Sequence, residues 1–275
     1  MTANFENIRR DLEAFLPIVG QKVMELRQSA VSDPDFTRIK NDAESPHHRT
    51  IVTKADELSE DLIRAWISER FPADAIYGEE REDKSGGQRN WIIDPIDGTR
   101  NFHDSGNMFS ISVGLVENNN PKLGVIFYPA EKITLSASEG DGAYKNGKIL
   151  SGFESKTELT GALVIASNNP IHRSNPKYYN TARQQDPVLA MAQCKDIGWS
   201  YTFAFLQFLE GQADAILHFG ATPYDIAGVC SIAKEIGFNI SGYDGKVVDF
   251  SADLIPIVIS KNAKLHAAIM QSLNP

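Results

Sequence analysis

Trp91-Ile92-Ile93-Asp94-Pro95-Ile96-Asp97-Gly98-Thr99 is the stretch of this 275-residue chain that says most about its fold. Its apolar run predicts a buried strand, and its Gly-Thr pair predicts the start of a helix. Asp94 and Asp97 stand three residues apart and are separated by a rigid Pro-Ile step. Two carboxylates held close together cannot both stay ionised unless a cation neutralises them. Because no Cys or His lies nearby at a suitable spacing, these oxygen ligands favour Mg²⁺ over Zn²⁺.

The same motif also has a purely structural explanation. Asp94 can end a strand and Asp97 can cap a helix, and this accounts for the two carboxylates equally well. Gly98 and Thr99 favour a ligand-binding role over the structural one. A glycine lets the backbone approach a ligand, and a helix start aims its N–H groups at a phosphate. Thr99 also offers a hydroxyl that could orient a water molecule. The motif therefore points to a phosphate held beside a metal ion.

Composition and charge narrow the class of protein. A length of 275 residues with 42% hydrophobic content fits one large domain or two smaller domains that share an interface. Charged residues interrupt the apolar stretches near the start, and no window approaches the roughly 18 apolar residues of a membrane span, so we expect a cytoplasmic protein. The net charge of −9 argues against binding to nucleic acid or to an anionic membrane. The two cysteines stand outside any Cys-x-x-Cys pattern and are expected to be packed thiols.

The first part of the chain predicts helices followed by antiparallel strands. Apolar residues at spacings of three and four over 4–28 predict an amphipathic helix, which Pro17 should kink or split. A second helix should begin after Thr53, with Asp56 three residues later in a capping-box arrangement. Alternation over 109–113 indicates antiparallel strands with one solvated or helix-covered face. Strands are predicted over 75–77, 91–93, 109–116, 123–128 and 133–137.

The second part of the chain alternates strands with helices. After about residue 155, strands are predicted over 163–166, 188–194 and 215–219, and helices over 175–184, 201–209 and 225–236. Such alternation indicates an α/β layer that follows an α+β first half. We therefore divide the chain into an N-terminal α+β part, 1–155, and a C-terminal α/β part, 156–275.

Two further segments carry acidic residues, Gly78-Glu79-Glu80 and Pro223-Tyr224-Asp225-Ile226-Ala227-Gly228. Taken singly, the first fits a solvated strand end and the second fits a helix N-cap. Together with Trp91–Thr99, they resemble the three signature motifs of the inositol monophosphatase family, whose members are Mg²⁺-dependent, lithium-sensitive phosphatases. The resemblance runs from about residue 40 to 240 and extends through Val52-Thr53-Lys54-Ala55-Asp56, Gly124-Val125-Ile126-Phe127, Gly140-Asp141-Gly142-Ala143, Asn146-Gly147 and Glu210-Gly211-Gln212-Ala213-Asp214.

The resemblance implies a fold and a set of metal ligands. The fold is the five-layer α-β-α-β-α sandwich of the inositol monophosphatase and fructose-1,6-bisphosphatase type. A first Mg²⁺ would bind Glu79, Asp94 and the carbonyl of Ile96, and a second would bind Asp94, Asp97 and Asp225. Some relatives hold a third ion near Glu79, so that two to three ions are expected. Residues 1–155 would thus carry most of the metal ligands, and residues 156–275 would carry the last one.

The resemblance also implies how the reaction proceeds. Glu79 and Thr99 would position and deprotonate the attacking water, with Asp94 and Asp97 holding the metal ions at the reacting centre. The N–H groups of Gly98 and Thr99 would bind the phosphate. The phosphoryl group would pass directly to water without a covalent intermediate.

The leaving-group side departs from the family pattern. His218 stands where inositol-selective relatives carry a glutamate, and it cannot offer the same bidentate acceptor to vicinal hydroxyls. The usual small stretch of the family appears here as Gly198-Trp199-Ser200-Tyr201, with a bulky indole inside. Lys40 matches a mobile-loop lysine, but extra residues separate it from the next motif. Core filling by Trp199, a hydrogen-bonded strand role for His218 and a solvated Lys40 are equal alternatives to substrate binding.

The sequence therefore predicts a Mg²⁺-dependent phosphomonoesterase, expected to be a cytoplasmic homodimer acting on a small phosphorylated metabolite. An inositol-1-phosphate-like substrate ranks first. Histidinol phosphate, fructose 1,6-bisphosphate and 3′-phosphoadenosine 5′-phosphate are the alternatives. A regulatory or binding protein on a phosphatase scaffold is the alternative of another class, and the complete set of metal ligands argues against it.

Overall fold

The computed structural model of the protein describes residues 4–29, 33, 35–40, 50–81, 83, 87–167, 179–196, 198 and 200–275. Its helices are α1 (Phe5–Ser29), α2 (Lys54–Arg70), α3 (Thr99–His103), α4 (Tyr179–Gln184), α5 (Asp186–Met191), α6 (Tyr201–Gln207), α7 (Pro223–Ile236) and α8 (Ala263–Leu273), with a π-helical turn at Phe208–Gln212. None of the described helices is long and apolar enough to cross a membrane.

The described strands form one short pair and two larger sheets. The short pair consists of β1 (Thr37–Lys40) and β2 (Thr50–Thr53). The first sheet contains β3 (Ala75–Gly78), β4 (Arg89–Asp97), β5 (Ser110–Glu117), β6 (Asn120–Tyr128), β7 (Ile133–Ser138), β8 (Gly142–Lys145) and β9 (Lys148–Ile149). The second contains β10 (Leu163–Ala166), β11 (Gln193–Asp196), β12 (Ala215–Ala221), β13 (Asn239–Gly242) and β14 (Ile255–Ser260).

The seven-stranded sheet follows the order of the chain from β3 to β9. β3 runs parallel to β4, and each later neighbouring pair is antiparallel. In β5, Ile111 and Val113 belong to the core beneath α1 and α2, while Ser112 on the other face lies next to Gly228 of α7. The predicted antiparallel arrangement with a helix-covered face is therefore confirmed.

The five-stranded sheet has the order β11-β10-β12-β14-β13, in which β14 and β13 are antiparallel to their neighbours. The strand predicted over 188–194 is wrong, because α5 ends at Met191 and β11 begins only at Gln193. Pro187 explains the difference. It lies in the first turn of α5, where a proline is favoured, whereas a proline in a strand removes a backbone hydrogen bond.

The helices lie in three layers around the two sheets. α1 and α2 cover the outer face of the seven-stranded sheet, where they contact β6, β7 and β4. α7 lies between the sheets and contacts β5, β6 and β7 on one side and β12 and β13 on the other. α4 contacts β12 and α8 contacts β14, so these helices form the far layer. The order is α-β-α-β-α, which confirms the predicted fold class.

Pro17 lies inside α1 without splitting it, since the helix is continuous from Phe5 to Ser29. The apolar stripe of α1 packs on the seven-stranded sheet, and its fully buried members are Leu12, Leu16, Val19 and Val23. Burying each such side chain stabilises the fold by about 1.5–3 kcal/mol, whereas an interior proline costs about 3 kcal/mol. The packing of the stripe therefore outweighs the hydrogen bond lost at Pro17.

A close contact fixes α7 against the seven-stranded sheet. A Cβ atom added to Gly124 of β6 would lie 2.4 Å from the carbonyl oxygen of Gly228 in α7. This spacing leaves no room for a side chain, so the helix backbone lies directly on the strand. The contact sets the position of the N-terminal turn of α7, which carries Asp225.

The packing of α8 depends on a histidine held between two serines. His266 Nε2 lies 2.9 Å from Ser241 Oγ, and its Nδ1 lies 3.0 Å from Ser260 Oγ. A neutral imidazole suits this arrangement because it has one donor and one acceptor, and serine hydroxyls serve as either. Burial lowers the pKa of His266 below its ordinary value of 6.5.

We predict that this histidine makes the protein less stable in mild acid. Because the pKa of His266 is lower in the folded than in the unfolded state, the unfolded state binds more protons below pH 6.5. The free energy of unfolding therefore falls as the pH drops from 6.5 towards the folded pKa. His266→Gln keeps a donor and an acceptor but cannot titrate. Its free energy of unfolding should therefore fall less than that of wild type over the same pH range. The check is urea unfolding of both proteins across this pH range, and parallel profiles would contradict the prediction.

Candidate active site

Three carboxylates meet between the end of β4 and the first turn of α7. The ligand oxygens of Asp94, Asp97 and Asp225 all lie within 4.8 Å of one another. Residues three apart in a regular strand point to opposite faces of the sheet. The pairing of β4 with β5 is irregular between Asp94 and Asp97, and this irregularity brings both side chains to the same side. α7 lies between the two sheets, and Asp225 in its N-terminal turn lies beside Asp94 and Asp97.

Burial and mutual repulsion both act on these carboxylates. Burial, followed by the charges of Glu79, Asp97 and Asp225, raises the pKa of Asp94 well above its usual range. Burial and the charge of Asp225 raise the pKa of Asp97 to about 6. Burial also raises the pKa of Asp225. The ionised forms are therefore disfavoured until a positive charge is added.

The donor set of this cluster fits a divalent cation. Among the residues that the structure describes, Asp94 Oδ1 is a fully buried oxygen that no hydrogen-bond donor reaches. An uncompensated buried carboxylate oxygen is costly, and a coordinated metal ion would satisfy it. Several carboxylate oxygens from different elements are the ligands that Mg²⁺ and similar hard cations take. The Asp94, Asp97 and Asp225 cluster could therefore hold a metal ion.

The two other predicted ligands lie beside this cluster. Glu79 follows β3 in a half-buried bend, and its charge is the largest of those that raise the pKa of Asp94. Its carboxylate is outside the 4.8 Å group of three. The carbonyl oxygen of Ile96 lies 2.9 Å from the hydroxyl of Thr99. A carbonyl oxygen has two lone pairs, so this contact leaves Ile96 a further acceptor direction.

Gly98 turns the chain from β4 into α3. Its φ of 90° is in the left-handed region, which glycine adopts without the steric penalty of a side chain. Gly98 is buried and stands at the N-cap position, so α3 starts at Thr99 as predicted. The helix is only five residues long. The turn places the Gly98-Thr99 backbone directly after Asp97 at the carboxylate cluster.

Asp56 is a residue of this site that the sequence analysis assigned to helix capping alone. Its Oδ2 accepts hydrogen bonds from the backbone N and the hydroxyl of Thr53, at 2.8 and 2.6 Å, and so completes the predicted capping box. Its Oδ1 lies 3.0 Å from the hydroxyl of Thr99. Burial raises the pKa of Asp56 to about 7. The signal that could have identified it is the Val52–Asp56 segment, which already belonged to the resemblance.

Asp97 does cap a helix, but the helix is α6 and not α3. Its Oδ1 accepts the backbone N–H of Tyr201 at 3.1 Å. Its Oδ2 accepts the Ser200 hydroxyl and the Thr202 backbone N–H, each at 2.7 Å, and also the Thr202 hydroxyl. The predicted site residue Ser200 is therefore brought into direct contact with a carboxylate of the cluster. Asp97 is therefore a helix cap, and its place in the cluster keeps it a candidate metal ligand as well.

His218 lies half-buried in β12 and adjoins the start of α6. Its Nδ1 accepts the backbone N–H of Gly220 at 3.0 Å, and its ring packs edge-on to Tyr201 with centroids 5.5 Å apart. It is therefore both a hydrogen-bonded strand residue and a neighbour of the segment that Asp97 holds. Two other predicted substrate residues are not placed, because Trp199 and the side chain of Lys40 lie outside the described part of the chain.

Comparison with known proteins identifies the family. The model of the inositol monophosphatase family matches residues 10–274, which is nearly the whole chain. The chain belongs to the inositol monophosphatase family. A fructose-1,6-bisphosphatase/inositol-1-monophosphatase of Thermotoga maritima is 32% identical over 86% of the chain and 88% of the relative. A histidinol-phosphatase of Chlorobaculum parvum is also 32% identical, over 72% of the chain and 74% of the relative.

Solved structures of the family have the same fold. An inositol monophosphatase of Thermotoga maritima superimposes with a TM-score of 0.76 at 27% identity, over 96% of each chain. An inositol monophosphatase of Anabaena superimposes with a TM-score of 0.79 at 20% identity, over 98% of this chain and 96% of that one. Since the matched family and these relatives are phosphatases, the chain is a hydrolase of the phosphatase class, as the sequence predicted.

Proposed function

We propose that this inositol monophosphatase family member hydrolyses a phosphate monoester with Mg²⁺, and that an inositol-1-phosphate-like compound is its first-ranked substrate. One observation carries the proposal. The buried, unsatisfied oxygen of Asp94 lies in a cluster with Asp97 and Asp225, directly before the Gly98-Thr99 helix start. Such a site combines a place for a cation with backbone N–H groups suited to a phosphate.

The proposed metal ligands are those that the resemblance implied. Glu79, Asp94 and the carbonyl of Ile96 would hold a first Mg²⁺, and Asp94, Asp97 and Asp225 a second. A third ion would bind near Glu79. When bound, Mg²⁺ supplies the positive charge that phosphate oxygens need and lowers the pKa of a water molecule.

The remaining roles belong to side chains and backbone groups of the chain itself. The N–H groups of Gly98 and Thr99 would hold the phosphate. The hydroxyl of Thr99 would accept a proton from the attacking water as its own proton passes to Asp56 Oδ1, which lies 3.0 Å away. A pKa of about 7 suits Asp56 to receive a proton near neutral pH. Glu79 would orient the water from the other side.

A second candidate substrate is histidinol phosphate, which the similarity to the Chlorobaculum parvum histidinol-phosphatase favours. Residues on the leaving-group side would decide between the two substrates. Ser200 and His218 are the described members of this group, and Lys40 and Trp199 complete it. A histidine in place of the family glutamate weakens recognition of vicinal hydroxyls, which is consistent with a substrate other than inositol phosphate.

Phosphate release from a panel of four esters tests the proposal. The panel contains inositol 1-phosphate, histidinol phosphate, fructose 1,6-bisphosphate and 3′-phosphoadenosine 5′-phosphate, each assayed with Mg²⁺ and with EDTA. We expect Mg²⁺-dependent release and rank the substrates by kcat/KM, which measures discrimination. If none of the four is hydrolysed with Mg²⁺, the proposal fails and a regulatory role on this scaffold gains support.

We predict that His218→Glu changes the ranking of substrates. The new carboxylate would offer two acceptors to vicinal hydroxyls, so kcat/KM for inositol 1-phosphate should rise about tenfold relative to the other esters. His218→Gln is the control because it has a similar size without the charge. Initial rates on the same panel provide the measurement, and an unchanged ratio for His218→Glu would remove His218 from substrate selection.

We also propose that the enzyme is a lithium-sensitive homodimer of the cytoplasm. These properties are supported by the membership of the family and not by a contact in the structure. Light scattering after size-exclusion chromatography tests the dimer, since a mass of one 30.4 kDa chain would contradict it. Neither nucleic acid nor a membrane is proposed as a partner, in keeping with the net charge of −9.

A further inference from the structure

Helix α2 presents a row of buried polar side chains to the site. Asp56, Ser59 and Glu60 are each at most 1% exposed and stand at the spacing of one helix face. Asp56 contacts the hydroxyl of Thr99, and the Ser59 hydroxyl donates to the carbonyl of Pro95 at 2.9 Å. Glu60 contacts the segment after β3, which carries Glu79. One helix face therefore touches three segments that build the candidate active site.

Glu60 accepts hydrogen bonds on both of its carboxylate oxygens. Its Oε2 accepts the backbone N–H of Glu80 at 2.7 Å, and its Oε1 accepts that of Arg81 at 3.1 Å. Arg64, one turn further along α2, donates its Nε–H to Oε1 at 2.6 Å and compensates the charge. A Cβ on Gly78 would lie 2.0 Å from Oε1, so the chain closes directly onto the carboxylate.

These contacts need a carboxylate and not merely a polar side chain. Two successive backbone N–H groups point at two different oxygens of one side chain, and the two oxygens of a carboxylate can accept at both positions. An amide would place an NH₂ donor against one of the N–H groups. Hydrogen bonds from N–H donors to a charged acceptor are also about twice as strong as neutral ones. The carboxylate therefore clamps residues 80 and 81 to α2, immediately after Glu79.

We infer that Glu60 is a positioning residue that sets how Glu79 is presented to Asp94, and thereby the affinity of the site for its first cation. The inference rests on the proposed metal role of Glu79. Glu60 does not touch the reacting groups. It acts by holding the backbone of Glu80 and Arg81, directly after Glu79, as partners behind metal ligands commonly do.

The test compares Glu60→Gln with the matched control Asp61→Asn. Asp61 bonds the guanidinium of Arg81 at 2.8 and 2.7 Å on the exposed side, so the control loosens the same segment without touching its N–H groups. Mg²⁺ binding to each metal-free protein is measured by titration calorimetry, together with the Mg²⁺ dependence and the saturated kcat of ester hydrolysis. We expect Glu60→Gln to weaken Mg²⁺ binding and raise the activation constant by about tenfold or more, with a much smaller change in kcat. Asp61→Asn should stay close to wild type.

The outcomes separate this inference from the proposed function. If the wild-type protein binds no Mg²⁺, the proposed function fails. If it binds Mg²⁺ but Glu60→Gln and Asp61→Asn bind equally well, the positioning role of Glu60 is overturned. Should Glu60→Gln not fold, Glu60→Asp replaces it, because it keeps the charge opposite Arg64 and shortens only the reach to the two N–H groups. Unchanged Mg²⁺ binding in Glu60→Asp would likewise overturn the role.

Discussion

Asp94→Asn is expected to lower kcat by about 1,000-fold, because the variant loses the carboxylate that both proposed cations share. The expected loss follows from the several kcal/mol that a bound metal ion contributes to the transition state, at about 1.4 kcal/mol for each tenfold in rate. Asp94 is a cleaner choice than Asp97, since Asp97 also caps α6 and its replacement would disturb that helix start. Phosphate release at saturating Mg²⁺ provides the measurement.

The same variant should not be less stable than wild type in EDTA. The pKa of Asp94 is higher in the folded than in the unfolded protein, so the folded state binds more protons above the ordinary value of 3.8. The free energy of unfolding therefore falls as the pH rises through the window between the two pKa values. Asparagine does not ionise, so the variant lacks this loss of stability with rising pH. Adding Mg²⁺ should raise the melting temperature of wild type but not that of Asp94→Asn.

Asp104→Asn is the control for both measurements, because this carboxylate is exposed and lies in the segment after α3. It should keep wild-type turnover and the wild-type response of stability to Mg²⁺. An Asp94→Asn protein that turns over at near wild-type rates, or that is stabilised by Mg²⁺ as wild type is, would show that Asp94 is not a shared metal ligand.

Thr99→Val is expected to lower kcat by at least about 100-fold while Mg²⁺ binding is retained. Valine has nearly the shape of threonine, so the start of α3 is preserved while the hydroxyl between Asp56 and Ile96 is lost. The proposed proton transfer from water to Asp56 then has no path. Single-turnover rates, combined with calorimetric titration of Mg²⁺, separate the chemical step from cation binding.

Thr99→Ser is the matched control, since it keeps the hydroxyl and should retain most of the activity. Asp56→Asn should resemble Thr99→Val if the two residues act together, and the double variant should then be little worse than either single one. Equal rates for Thr99→Val and Thr99→Ser would remove the hydroxyl from the mechanism.

The local pattern of the sequence was sufficient to predict many of the helices and strands. Trp91–Thr99 was predicted as a strand followed by a helix start, and the structure has β4 followed by α3. The strand predicted over 188–194 was wrong, because residues 188–191 continue a helix that Pro187 helps to start. Of the two outcomes predicted for Pro17, the split does not occur, because the apolar stripe of the continuous helix α1 is buried on a sheet.

The site was less accessible to sequence reasoning because its contacts join distant segments. The sequence placed Asp94 and Asp97 on one strand but could not show that an irregularity turns both to the same side. The contact of Asp56 with Thr99, like that of Glu60 with the Glu79 segment, depends on how α2 lies across the sheet. No periodicity within α2 distinguishes such buried polar residues from ordinary capping and surface residues.

The capping of α6 by Asp97 has a consequence for engineering substrate preference. A library that randomises Ser200 and Thr202 to accept a new leaving group would also remove the two side-chain hydroxyls that donate to Asp97. Many members of such a library would be lost through failed ion binding and not through a poor fit to the new compound. His218 accepts the backbone N–H of Gly220, so diversity placed there would keep the two hydroxyls that donate to Asp97. Screening at several Mg²⁺ concentrations would distinguish the two kinds of failure.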